Sequence, residues 1–130
     1  SIIHLFNHIF ALLILISKIM KIVPTKVLVY HAPESSSRPP CDSWLQYWSE
    51  TIGVKIPKSG YVKCDCCGDE HSIKDFVGAH VVYGDTVYIY PTCNICNNKY
   101  KESHIFEGEF MALKKWLCPL PPKQDSQSGE

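Results

Sequence analysis

Residues 61–98 read YVKCDCCGDEHSIKDFVGAHVVYGDTVYIYPTCNICNN, and this stretch decides the fold. It holds two Cys-x-x-Cys pairs, Cys64/Cys67 and Cys93/Cys96, with 25 residues between them. Paired cysteines at this spacing mark a metal site rather than a disulfide framework. Gly68 follows the first pair, and a glycine there lets the turn take positive φ so that backbone N–H groups face the sulfurs. If Cys93 opens a helix, its first N–H groups face the second pair. Four thiolates around Zn²⁺ form a closed tetrahedral shell, which is a structural site and not a catalytic one. Cys66 is an alternative to Cys67 as the second ligand, through the less usual Cys-x-Cys spacing.

Between the pairs, Phe76–Val82 and Thr86–Tyr90 are apolar runs rich in β-branched and aromatic residues, separated by Tyr83-Gly84-Asp85. They predict a hairpin. Thr92-Cys93-Asn94 predicts a helix start, with the helix running to about Ser103, and Glu107–Leu117 predicts a second short helix around Phe110, Leu113 and Trp116. Upstream, DSWLQYWSETIG (42–53) carries capping residues at Asp42 or Ser43 and a stop at Gly53. Trp44 and Trp48 lie one turn apart there, giving an apolar face expected to pack on the metal module. The fold class expected is small α+β: a zinc knuckle, a β-hairpin and a helix, with the Trp-rich helix in front.

Further out the composition changes. Residues 2–20, IIHLFNHIFALLILISKIM, are long and apolar enough to span a bilayer but are interrupted by His4, Asn7, His8, Ser17 and Lys18. No basic residue precedes the run and no small-residue cleavage site follows it, which disfavours a signal peptide. Three alternatives stay open for residues 1–19: a membrane segment, a spurious extension upstream of a start at Met20, or an apolar helix packed on the domain. In the first case Lys18, Lys21 and Lys26 favour a cytoplasmic C-terminal side. Residues 20–40 hold a short strand, Lys26–Tyr30, and a linker, HAPESSSRPP. The zinc domain is expected over 41–118, and 119–130 form a tail of disordered composition.

Length and charge narrow the function. The chain has 130 residues, and what remains after the apolar segment, linker and tail is small enough to need a staple such as a metal. Seven lysines stand against eight acidic residues in 58–118, and a zinc tetrathiolate adds about −2. That balance argues against tight nonspecific nucleic-acid binding. Thiolate ligands suit a reducing compartment, here the cytoplasm. Cys41, Cys66 and Cys118 read as ordinary free thiols. His71, in the polar turn Asp69-Glu70-His71-Ser72, reads as a solvated loop residue, and Tyr83, Tyr88, Tyr90 and Tyr100 as packing around the hairpin.

Cys-x-x-Cys-Gly, then Gly78-Ala79-His80-Val81, then Tyr88-Ile89-Tyr90-Pro91, then Cys-x-x-Cys-Asn over residues 61–104 resembles the HNH endonuclease family. The closest resemblance is to its small zinc-bearing members. That resemblance implies a treble clef, a structural zinc, and a nuclease core in which His80 acts as general base. A separate catalytic Mg²⁺ or Mn²⁺ would be held from the helix, with Asn97 and His104 as candidate ligands. Nucleic acid is the partner class it brings. Three positions depart from the family pattern. Ala79 stands where many members have a metal-binding Asp, the loop that carries the family's middle Asn is here the tight turn Gly84-Asp85, and the surface is not basic. The function expected is therefore a zinc module that binds without cleaving, with a metal-dependent nuclease using His80 as the alternative.

Overall fold

Strand pairing is organised around the hairpin of β4 (Phe76–Tyr83) and β5 (Thr86–Cys93), whose register runs from Tyr83↔Thr86 at the turn to Phe76↔Cys93 at the open end. Gly84 sits at the turn with φ +65°, a conformation in which its lack of a Cβ is needed. The computed structural model describes residues 1–22, 24–33, 37–101 and 107–122. Within these, the hairpin is the middle of a five-stranded antiparallel sheet of order β6-β1-β4-β5-β7. A second, two-stranded sheet pairs β2 (Tyr61–Lys63) with β3 (Glu70–Ser72).

Strand β1 (Lys26–His31), set apart with the linker by composition, is an inner strand of the large sheet. It pairs with β4 through Tyr30↔Val82 and His31↔Val81, and its Val29 is fully buried. The sheet therefore joins residues on both sides of the linker. Its other neighbour is β6 (Glu107–Leu113), where the sequence predicted a helix. Phe110 and Ala112 are buried while Met111 between them is exposed, so the operative period is two. Phe110, Leu113 and Trp116 suggested a helical spacing, but only Lys114–Trp116 forms a single 3₁₀ turn. At the opposite edge β7 (Cys118–Pro119) pairs with β5, and Tyr47 Oη donates to the Pro119 carbonyl at 3.0 Å. The sheet thus reaches one residue into the segment read as tail, of which 123–130 lie outside the described residues.

Two layers cover the sheet. Helix α2 (Trp44–Ile52) begins as predicted at Ser43, whose Oγ accepts from Gln46 N at 3.0 Å, and ends at Gly53 with φ +83°. It lies over Gly78, His80, Ile89 and Cys118, with Trp48 only 3 % exposed and its indole N–H donating to Trp116 O at 2.7 Å. The opposite face buries Val29, Val81, Tyr90, Phe110 and Ala112, and Cys66 packs against it. Helix α3 (Asn94–Tyr100) follows β5 directly and places Tyr100 against His31 on that face, with ring centroids 5.0 Å apart. The N-terminal apolar segment, for which three alternatives stood open, is helical: α1 (Ile2–Ile22). Its window Ile2–Ile19 is not buried at all, so the alternative of a helix packed on the domain is not realised.

Helix α2 can sit this close only because residue 78 is glycine. A Cβ there would lie 2.6 Å from the Trp44 carbonyl carbon and 2.7 Å from Leu45 N. Those are backbone atoms, which cannot swing aside. Gly78→Ala is therefore expected to lower stability by about 1–3 kcal/mol, as overpacking does, with metal content unchanged. Thermal melts with parallel metal analysis test this, and an unaltered melting temperature would show that the helix is not tightly seated.

Candidate metal centre

The first cysteine pair is held by a turn closed at both ends. Cys64 N–H donates to Asp69 O at 2.9 Å, and Gly68 N–H donates to Cys64 O at 2.7 Å. Gly68 takes φ +81°, as the Cys-x-x-Cys-Gly pattern predicted. The second pair sits where β5 becomes α3. Cys93 caps the helix, its sulfur accepting from Cys96 N at 3.5 Å. One contact ties the halves together: Cys93 N–H donates to Cys64 Sγ at 3.3 Å.

The result is a cluster of the four predicted cysteines, with every pair of sulfurs within 4.8 Å and Cys67 to Cys93 at 4.0 Å. A zinc tetrathiolate with Zn–S of about 2.3 Å has sulfur–sulfur edges of about 3.8 Å, so the Cys67–Cys93 edge is already near that length and the group needs at most about 1 Å of contraction to coordinate an ion. None of the seven cysteines forms a disulfide. Cys64, Cys93 and Cys96 are buried, and Phe76, Leu45, Val62 and Ile73 pack around them. Burial pushes the Cys64 thiol up, but N–H groups of Cys93, Cys67 and Cys66 pull it down further, leaving it below its ordinary value. Burial holds Cys93 and Cys96 above theirs. Four such sulfurs cannot all carry charge without a cation among them, and a dication supplies what is missing. The donor set and its closed shell fit structural Zn²⁺.

Cys66, the alternative ligand, lies outside this four-sulfur group. Its sulfur is 3.5 Å from His31 Nε2, and burial pushes its thiol up to about 11. His31 is 1 % exposed, and burial lowers its imidazole to about 4, so it is neutral at pH 7. Gly108, with φ +61°, makes room for it, since a Cβ there would meet His31 and Tyr100 at 2.6–2.7 Å. Nothing in the sequence flagged His31, which stands at the edge of the linker. His71, read as a solvated loop residue, lies half-buried on β3 opposite Val62, with Nε2 3.4 Å from Cys67 Sγ.

Tyr90 joins the cysteine turn to the sheet. Its hydroxyl donates to Asp65 Oδ2 at 2.6 Å and accepts from Leu113 N at 2.9 Å. Burial first, and the Asp65 carboxylate second, push the phenol far above its usual value, so it stays a donor.

His80 is in the middle of β4, 4 % exposed, with Trp44 edge-on at 5.2 Å. His31 pairs with Val81 and shares its face, so His80, one residue earlier, faces the opposite way. The imidazole therefore lies under α2, while α3 packs on the other side of the sheet. Asn97 is half-buried in mid-α3, where its carbonyl accepts from Lys101 N at 2.8 Å. His104 lies outside the described residues. Among the described residues, the groups of three or more His, Cys, Asp or Glu side chains able to hold a metal are the four cysteines and the trio Cys67, Asp69 and His71; neither includes His80. No family model matches the chain, and neither a curated protein nor a solved structure does.

Purified protein is expected to carry zinc that chelators remove with loss of the cooperative melt, because a structural zinc contributes about 10–16 kcal/mol against a total domain stability of about 5–15. Cys64→Ser and Cys96→Ser should abolish folding, and Cys118→Ala should keep the metal. A sharp melt in metal-free protein would rule the site out as the staple. Tyr90→Phe should keep zinc but cost about 1–3 kcal/mol, since Asp65 and the Leu113 N–H each lose a partner. Denaturant titration measures it, and an unchanged midpoint would mean that water replaces the hydroxyl.

Proposed function

We propose that this chain is a zinc-stabilised treble clef of HNH ancestry that binds a partner without cleaving it. The observation that carries this proposal is the cluster of four sulfurs, spanning a knuckle (β2 and β3), the hairpin β4–β5 and the start of α3. That order of parts, together with Gly78-Ala79-His80-Val81 and Cys93-Asn94-Ile95-Cys96-Asn97, supports the ancestry. A working nuclease of this kind needs a base, a divalent ion and a path for phosphate in one cleft. His80 under Trp44, on the face away from α3, supports the non-catalytic reading over the nuclease alternative. Nucleic acid is the partner class the resemblance brings, and a formal net charge of zero makes such binding weak and salt-sensitive.

Plasmid nicking in Mg²⁺ or Mn²⁺ tests this, and no nicking above the His80→Ala background is expected. Loss of a general base typically costs about 10²–10⁴-fold in rate. Robust nicking that His80→Ala abolishes at constant zinc would make the chain a metal-dependent nuclease with His80 as its base.

A membrane tether is a second element of the proposal, supported by α1. Its 18-residue apolar window, at 1.5 Å per residue about 27 Å long, approaches the hydrocarbon thickness of a bilayer and buries none of its surface in the protein. Lys18 and Lys21 at its C-terminal end support an orientation with the zinc domain on the cytoplasmic side, in a reducing compartment suited to thiolates. Full-length protein should sediment with membranes and resist alkaline extraction, while a chain beginning at Met20 should be soluble with equal zinc. Full-length protein in the soluble fraction would discard the tether.

A further inference from the structure

Three of the centre's four cysteines are buried, and the fourth, Cys67, is exposed. Beside it, Asp69 and His71 follow at every second residue, and Gly68 at φ +81° begins the bend that carries the chain into β3. The ligand atoms of Cys67, Asp69 and His71 all lie within 4.8 Å of one another, and His71 Nε2 is 3.4 Å from Cys67 Sγ. With Zn–S of about 2.3 Å and Zn–N of about 2.0 Å, a tetrahedral zinc has an S···N edge of about 3.5 Å. The spacing suits an N–H···S contact as well as coordination, so the choice between them rests on chemistry.

We propose that Cys67, Asp69 and His71 form a second zinc site that shares the Cys67 sulfur with the four-cysteine centre. This rests on the zinc reading of that centre. A thiolate bound to one ion keeps lone pairs for another, and Cys67 is the one ligand that solvent reaches. A tetrathiolate zinc carries about −2, which attracts a second dication. Sulfur, imidazole and carboxylate together suit Zn²⁺, whereas Mg²⁺ and Ca²⁺ prefer oxygen alone. The two sites differ in kind. The first is closed by four sulfurs. The second has three protein ligands and an outward fourth position, open to water or to a carboxylate or phosphate oxygen of a partner.

The test adds Co²⁺ to zinc-loaded full-length protein and counts zinc and cobalt together after equilibrium dialysis. Two metals per chain are expected, the second giving the thiolate charge-transfer absorption of Cys67 bound to cobalt. Asp69→Asn leaves the backbone carbonyl that accepts from Cys64 in place. His71→Ala removes the imidazole. Each should weaken the second metal at least about tenfold while the first is retained. Saturation at one metal per chain, or a second metal bound equally by both variants, overturns the proposal and leaves the four-cysteine centre standing. Folded protein with no metal at all would instead overturn that centre.

Discussion

The meeting of two cysteine turns is the constraint on which the domain depends. Cys64 directly follows β2 and Cys93 ends β5, and the 3.3 Å contact from Cys93 N–H to Cys64 Sγ is where they touch. Through Cys93 the centre reaches the open end of the β4–β5 hairpin and the first turn of α3. Through Cys64 and Cys67 it holds a two-stranded sheet only three residues wide, which is too short to persist by itself in water. A metal at this junction would join the β2–β3 sheet to the β4–β5 hairpin and the start of α3.

The sheet's two faces then take different duties. One accepts α2 through the gap at Gly78 and buries His80 beneath Trp44. The other packs the cysteine turn, with Tyr90 and Asp65 as the polar pin and His31 as a neutral histidine between Cys66 and Tyr100. The His80 imidazole is 4 % exposed, with the Trp44 ring edge-on to it. A general base needs the opposite setting, open to water and next to the ion that orients it. His80 lies in mid-strand, buried beneath α2.

Much of this was legible in the residues. The two Cys-x-x-Cys pairs, the glycine after the first, the hairpin around Gly84-Asp85 and the caps of α2 at Ser43 and Gly53 are local signals, and each produced the element expected. These features depend on chemistry within a few residues, such as a positive φ, a capping hydroxyl or a pair of thiols on one turn. Sequence displays them directly.

Where an element's identity depended on a distant partner, the sequence was silent or misleading. Residues 107–113 took strand form because β1 offered them an edge, and β1 entered the sheet although a polar linker follows it. The direction His80 faces, the burial of His31 and the approach of His71 to Cys67 were likewise decided by packing. A strand alternates its side chains between two faces, but nothing within the strand says which face the next layer will cover. The composition by itself determined that this chain can hold a metal with four cysteines. Only the tertiary structure decided which histidines stand near that centre, because their neighbours come from residues tens of positions away.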